Sequence, residues 1–435
     1  MKDRNFKVLV VSNNPFSKTS NNGKTLASFF ENFNSENIFQ LYFSAESPNK
    51  KGNYFQITDS AVIKTVLRKE KECGRKLQIS DLASQKEEDS SFIVASKLKK
   101  SELSRIIREL FWRIGTWKND LLDSWLKECD PDVIFFCAGD SGFAYDVVNY
   151  IQQKTAAKSA IYITDDYILP RRTLNLFWWW RRNFIFKKMK LAIHQSDGFA
   201  TISEKMRDEY KSLFGKDSKV LVNMTPSLKM EKVSVADEDV NSTVKLTYAG
   251  GLHFNRDKVL VSLINEIQSV NGISDKKIFL DIYSVYTLSD KTANKLTVSG
   301  VSSFKGKLNP DELKIALNKS DVLVHVESFD SKSIESTRLS LSTKIPEYLS
   351  IGKPILAIGP PQLSSMQYLA DVAVCANSKS QIEEALKTII FDSEQLEQLS
   401  KKSLQKYEAY HSVEDMRRDF KAYLMTIYRG MYTKE

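Results

Sequence analysis

The chain has 435 residues, 42% of them hydrophobic and 27% charged, and a net charge of +9. That composition excludes a disordered chain, and the length favours two or three domains over one. The basic balance suits an anionic partner, whether a nucleotide, a polyphosphate, nucleic acid or an acidic membrane surface, without choosing among them. The four cysteines, Cys73, Cys129, Cys137 and Cys375, form no CxxC pair, and the four histidines show no zinc-ligand spacing, so no metal site is expected. Scattered thiols in a large chain point to a reducing cytosol.

The first apolar run, Val8 to Val11 within FKVLVVS (6–12), reads as a first β-strand rather than a signal peptide. No stretch approaches the ~18 apolar residues that a membrane span requires. A polar loop, SNNPFSKTSNNGKTL (12–26), follows, with Gly23 just before a helix. It can meet a phosphate or an acceptor hydroxyl, but it lacks the GxxxxGK[ST] spacing of a P-loop. Residues 68–91 are charged and are expected to form an excursion, and residues 101–132 an amphipathic helix. Further strands are expected at DVIFFCAG (132–139), SAIYITDD (159–166), DGFATIS (197–203) and KVLVNM (219–224).

YITDDYILPRR (162–172) ends a strand in two adjacent acids, Asp165 and Asp166. Doubly wound folds place function at strand C-termini, and neighbouring strand residues point opposite ways, so one of the two acids faces the site. A helix cap with a structural ion pair would use the same residues. RRTLNLFWWWRRNFIFKKMK (171–190) holds seven Arg/Lys, six aromatics and no acid. Leu174, Trp178, Ile185 and Met189 share a helical face, which Arg181 interrupts. Three consecutive tryptophans cannot all point inward from one helix, so a peripheral contact with anionic lipid is expected. A core-facing helix with a solvated basic side is the plainer alternative. Single-stranded nucleic acid is a further option, but no recognition module accompanies it, and no nucleic-acid partner is expected.

Residues 227–243 are polar and without period, and are expected to link two domains. A second strand series follows: VKLTYAGG (244–251), KIFLDIYS (277–284), VSSFKGKL (301–308), DVLVHVES (321–328), PILAIGP (354–360) and VAVCA (372–376). Short, continuously apolar strands between helical segments imply parallel sheets covered on both faces. In YAGGLHFNRDKVL (248–260), Gly250 and Gly251 let the backbone approach a ligand, and His253 can bond a phosphate or a sugar. Arg256 and Lys258 put cations at the next helix start. A tight turn with a solvated basic face would look the same.

TKIPEYLSIGKPILAIGP (343–360) starts a short helix at Ser342 and Thr343, both N-cap types, with Pro346 in its first turn and Gly352 at its end. A helix N-terminus offers unpaired N–H groups and partial positive charge to an anion. Lys344 adds a full charge, and Glu347 can accept two hydrogen bonds from a vicinal diol. The alternative is a capping box in which Glu347 closes the helix start. The last helix is expected at 412–432, with an apolar stripe of Met416, Phe420, Tyr423, Leu424 and Ile427.

In order along most of the chain, VLVVSNNP, CDPDVIFF, YITDD, SDGFATISEKMRDEY, KVLVNMTP, LTYAGGLHFNR, FKGKLNPDELKIAL, SDVLVHVES and STKIPEYLSIGKPILAIGP resemble the retaining glycosyltransferases of the GT-B fold known as family 4, of the bacterial polysaccharide-assembly type. The resemblance implies an α/β chain of two Rossmann-like domains facing each other across a cleft. The N-terminal acceptor domain would span 1–230, the donor domain 231–411, and a helix at 412–435 would cross back to the first domain. It implies a UDP- or GDP-sugar donor, a lipid-linked or polysaccharide acceptor, and no metal or other cofactor. Glu347 would bind the ribose hydroxyls; Thr343, Lys344 and Arg256 the diphosphate; Gly250 and Gly251 would allow its approach; and Asp165 or Asp166 would sit near the transferring sugar. The family's pattern has a glutamate eight positions before the one matched by Glu347, and that position is Leu339 here. The strand-end position that is often histidine is Asp165. The expected activity is metal-independent, retaining hexosyl transfer in the cytoplasm at the inner face of the cell membrane. A sugar-nucleotide epimerase of similar architecture and a non-catalytic partner subunit are the alternatives.

Overall fold

The computed structural model describes residues 6–17, 21–79, 101–230, 243–286 and 288–430. The chain divides into two compact units, Met1–Leu221 with Met416–Glu435, and Val222–Asp415.

The first unit is built on an eight-stranded sheet of order β4-β3-β2-β1-β5-β6-β7-β8. Its strands are β1 (Val8–Ser12), β2 (Ile38–Tyr42), β3 (Gly52–Gln56), β4 (Arg75–Ile79), β5 (Val133–Ala138), β6 (Lys158–Ile163), β7 (Gly198–Thr201) and β8 (Lys219–Val220). All neighbours pair in parallel except β3 and β4. Every residue of β1, β2 and β5 is buried, as parallel strands covered on both faces require.

Three of these strands were not legible in the sequence. The β2 segment IFQLY buries Gln40 in mid-strand. The Gln40 amide nitrogen donates to Ser12 Oγ (2.8 Å) and Asn14 O (3.2 Å), and its oxygen accepts from Phe16 N (2.9 Å). The charged stretch expected as an excursion contains β4, an antiparallel edge strand. An edge tolerates its cations: Arg75 Nε donates to Gln56 Oε1 at 2.7 Å and Lys76 pairs with Glu128 at 2.6 Å. Residues 80–91 of that stretch lie outside the described residues. The expected single helix over 101–132 is two, Glu102–Ile114 and Asp120–Cys129, capped by Ser101 and Asn119.

The helix Leu176–Gln195 buries Trp178, Arg181, Ile185, Met189 and Ile193. Here the expected face is corrected. Leu174 precedes the helix and is 99% exposed, because Asn175 caps the helix start. Arg181 does not break the inward face but completes it, bonding Glu102 and the Asp140 carbonyl (3.1 Å). Of the three tryptophans, Trp178 is buried, Trp179 donates to Thr173 O at 2.9 Å, and Trp180 is exposed and stacks on Phe184. Among the described residues no helix is long and apolar enough to cross a membrane.

The helix Val413–Tyr428 buries Met416, Phe420, Tyr423, Leu424 and Ile427. From Met416 onward it belongs to the first unit, where Phe420 packs on Phe29, Phe30 and Phe135.

The second unit holds a six-stranded sheet of order β11-β10-β9-β12-β13-β14, all parallel. The strands are β9 (Thr243–Ala249), β10 (Lys277–Tyr283), β11 (Ser302–Gly306), β12 (Val322–Val326), β13 (Ile355–Ile358) and β14 (Val374–Ala376). Counted from β9 this is the 3-2-1-4-5-6 order of a Rossmann sheet, which reverses between β9 and β12. The start of the stretch expected as a linker is anchored on this unit: Leu228 N donates to Ser350 Oγ (3.0 Å) and Met230 N to Asn318 Oδ1 (3.0 Å). Residues 231–242 of that stretch lie outside the described residues.

Candidate functional site

In open parallel sheets, ligands bind beyond the strand C-termini where the strand order reverses. In the second unit that point lies between Ala249, the end of β9, and Val326, the end of β12. Gly250 and Gly251 leave β9 here. A Cβ on Gly250 would stand 2.7 Å from Tyr248 Oη, and one on Gly251 2.6 Å from His253 Nδ1. The glycines therefore let the turn fold over its own side chains, a packing reason that precedes any ligand. Tyr248 Oη donates to Gly251 O at 2.7 Å and fixes the turn.

The turn continues through Phe254 and Asn255, both in the left-handed region at φ 59° and 58°. Two successive non-glycine residues there are uncommon and strained, and they aim the next helix, Arg256–Ile273. His253 lies between Tyr286 Oη (3.2 Å from Nδ1) and Arg256 (3.5 Å from Nε2). Burial, then the Arg256 charge, lowers the pKa of this imidazole.

Arg256 does not stand alone as the sequence suggested. Its Nη2 donates to Glu327 Oε2 at 2.9 Å, and the Glu327 side chain is 4% exposed. His325 Nε2 lies 3.3 Å from Glu327 Oε1. Burial works against a charge on Glu327, but His325 and Arg256 overcome it and hold the carboxyl down at about 2. Glu327 and His325 were missed in the sequence, where DVLVHVES reads first as a buried strand. The available signal was an acid directly beyond an apolar strand, on the edge where function gathers.

The helix Lys344–Ile351 opens at the same edge, between β12 and β13. Thr343 precedes it without any side-chain cap bond, so the alternative reading, a capping box, is not formed there. Ser342 N donates to Ser365 Oγ (3.2 Å), and its own Oγ accepts from Lys344 N at 3.4 Å. Gly352 ends the helix at φ 71°, and a Cβ there would stand 2.5 Å from Leu404. Lys344 Nζ and Glu347 Oε2, expected to hold different parts of one ligand, are 3.0 Å apart and paired, with the lysine 34% exposed and the acid 11%. The next residue ties this helix to the glycine turn: Tyr348 Oη accepts from Ala249 N at 3.1 Å. Gly250, Gly251, His253, Arg256, Ser342, Thr343, Lys344 and Glu347 thus fall on one edge of one sheet.

The remaining candidates lie in the first unit. Asp166 is turned inward, 3% exposed, and its Oδ1 accepts from Ile168 N (3.1 Å) and Leu169 N (2.8 Å). It shapes the turn after β6. Asp165 is half-buried, with Tyr167 Oη 3.4 Å from its Oδ2. Gly23 is not ahead of a helix but inside the first turn of Asn21–Phe29, where its carbonyl accepts from Ser17 N at 3.2 Å.

No protein-family profile matches the chain. A search of curated proteins likewise finds no relative. Solved structures do match. HepE of Anabaena, in complex with UDP-glucose, superimposes with a TM-score of 0.58 at 11% identity, over 97% of this chain and 100% of that one. The α,α-trehalose 6-phosphate synthase of Burkholderia multivorans gives 0.60 at 11% identity, over 98% of each chain. An E. coli structure described as trehalose-6-phosphate bound with UDP-2-fluoro glucose gives 0.62 at 10% identity, over 97% of this chain and 99% of that one. At such identities the likeness is one of architecture: two Rossmann-like units and a C-terminal helix on the GT-B plan.

Proposed function

We propose that this protein is a retaining, metal-independent glycosyltransferase of the family 4 type. It moves a sugar from a UDP- or GDP-sugar to a lipid-linked or polysaccharide acceptor. The second unit binds the donor and the first the acceptor. One observation carries the reading: at the reversal of the second sheet, a glycine turn, a buried-pair arginine and a helix start bearing Lys344 and Glu347 converge, and Tyr348 joins them. Two of the similar structures contain UDP-glucose and UDP-2-fluoro glucose, which supports the same donor class here.

Glu347 takes the ribose hydroxyls, while Lys344, Thr343 and Arg256 meet the diphosphate. The glycosyl carbon–oxygen bond to the diphosphate breaks as the acceptor hydroxyl attacks from the same face. The hydroxyl proton passes to the leaving phosphate oxygen. Charge growing on that group is met by fixed cations and helix amides, the form of catalysis that costs no reorganisation during the reaction. Of the two acids after the sixth strand, Asp165 rather than the inward-turned Asp166 is the candidate for the sugar-transfer step. Leu176, Phe177 and Trp180, exposed beside Arg172, Lys187 and Lys190, support a peripheral contact with an anionic membrane. Trp180→Glu should reduce co-sedimentation with anionic vesicles, and unchanged sedimentation would remove the membrane from the proposal.

Lys344→Ala should weaken nucleotide-sugar binding by ~1.5–3 kcal/mol, the worth of a charge-assisted contact, or roughly tenfold or more in Kd. Calorimetric titration with UDP- and GDP-sugars, together with release of labelled sugar in membrane extract, checks this. Wild-type affinity and turnover in both Lys344→Ala and Glu347→Ala would overturn the proposal.

A further inference from the structure

The first sheet also reverses its order, between β1 and β5, and a cavity of about 370 Å³ opens there. Its floor is the strand ends around Asn13, Asn14 and Asp140, and its wall is the helix Glu102–Ile114. At 100° per residue this helix carries two adjoining faces. Ser104, Arg105, Arg108 and Trp112 line the cavity. Leu103, Ile107, Leu110 and Ile114, spaced as i, i+4, i+7 and i+11, form an apolar stripe that is 42–63% exposed. Ile107 belongs to both, since it lines the cavity and is 42% exposed. A polar chamber and an apolar track therefore meet at one side chain.

The charges in the chamber are already matched. Arg105 pairs with Asp140 at 2.6 Å, and Arg108 with Asp59 at 2.8 Å. A third carboxylate, Glu109, accepts from the Gly142 and Phe143 amides at 2.6 and 2.8 Å. Arg181 reaches the same Asp140 as well as Glu102, and burial pushes the Glu109 carboxyl up to about 7. All three guanidiniums are thus already bonded to acids, which disfavours an anionic ligand. Carboxylate lone pairs and the amides of Asn13 and Asn14 together suit hydroxyls, which donate and accept at once. The volume falls in the range of small-molecule sites. Tyr167, which also lines the chamber, lies 3.4 Å from Asp165 through its hydroxyl.

We propose that this chamber binds an amphipathic glycolipid: an uncharged sugar head enters the cavity, and its hydrocarbon leaves over Ile107 onto Leu103, Leu110 and Ile114. That this ligand is the acceptor rests on the transferase reading; that it binds here does not. The exposed Arg113 on the same helix matches the anionic bilayer from which such a lipid would come.

Calorimetry of the full chain with glucose, octyl β-glucoside and octyl phosphate, each below its micelle concentration, tests this. Octyl glucoside should bind about tenfold or more tighter than glucose, since each buried methylene adds to affinity, and octyl phosphate should bind more weakly than octyl glucoside. Leu110→Glu should bring octyl glucoside down to the affinity of glucose without changing the melting temperature. Ser104→Trp, which fills the chamber, should abolish binding of both. Equal affinity for glucose and octyl glucoside, or tighter binding of octyl phosphate, would overturn the proposal. So would a Leu110→Glu variant that melts earlier, because the stripe would then pack within the chain. Nucleotide-sugar titration of the same preparations separates the two ideas. Octyl glucoside binding without nucleotide binding refutes the transferase alone, and the reverse refutes the glycolipid site alone.

Discussion

Glu327→Ala should destabilise the second unit by roughly 3 kcal/mol and weaken nucleotide-sugar binding together, because it leaves a guanidinium largely out of water with no counter-charge. The Arg256 side chain is only 14% exposed, and Glu327 is its bonded acid at 2.9 Å. Its Nε is already without a bond, so the carboxylate carries most of what holds the guanidinium in place. Removing the acid either strands the charge or swings the arginine out, and in both cases the cation at the sheet reversal moves. Glu327→Gln keeps the volume and one acceptor, so it should cost less stability than Glu327→Ala.

The pH dependence follows with a definite sign. A carboxyl held down at about 2 in the folded state contributes stability that is present above the ordinary carboxylate range and is lost as pH falls toward 2. Glu327→Gln should flatten that acid limb. Urea unfolding read by hydrogen exchange in peptides from 243–286, repeated between neutral and acid pH, measures both effects. Wild-type protection and wild-type nucleotide affinity in Glu327→Ala would show that the pair neither stabilises the unit nor positions Arg256.

Much of the architecture could be read from the chain because parallel strands buried on both faces must be apolar throughout, as in VIFFCA and VLVHV. The reading failed where burial was achieved by pairing polar groups instead. Gln40 in β2 is fully buried yet satisfied by bonds to Ser12, Asn14 and Phe16, which lie far from it in sequence. The strand β4 is charged because an edge needs only one partner. The same limit governs the site. Gly250, Gly251, Lys344 and Glu347 were legible as local turn and helix-start chemistry. The Arg256–Glu327 pair joins residues 71 apart, and no local pattern reports such a contact. Arg181 shows the reverse error. It looked like a break in an apolar face, but it is an inward residue with acids from two other segments waiting for it.

Phe420→Ala should destabilise the first unit by about 3–5 kcal/mol, the range for deleting a buried aromatic ring. Phe420 is fully buried, with ring centroids 4.7 Å from Phe29, 5.0 Å from Phe30 and 5.2 Å from Phe135. Those partners are the last residue of the first helix, the residue that follows it and a residue of the fifth strand, so the ring fastens the last helix to both elements. The helix is closely seated elsewhere too: a Cβ on Gly198 would stand 2.4 Å from Ile427 Cδ1, which leaves no slack for the helix to slide into the lost volume. Collapse around the cavity is therefore limited, which places the cost high in the range. A two-unit chain need not unfold in one step, so a single melting temperature would blur the result. Hydrogen exchange resolved by peptide should show protection lost across 8–42 and 133–163 and retained across 244–283 and 322–358. Equal loss in both sets would mean that the last helix stabilises the two units as one, and no loss in either would mean that the aromatic cluster does not hold it.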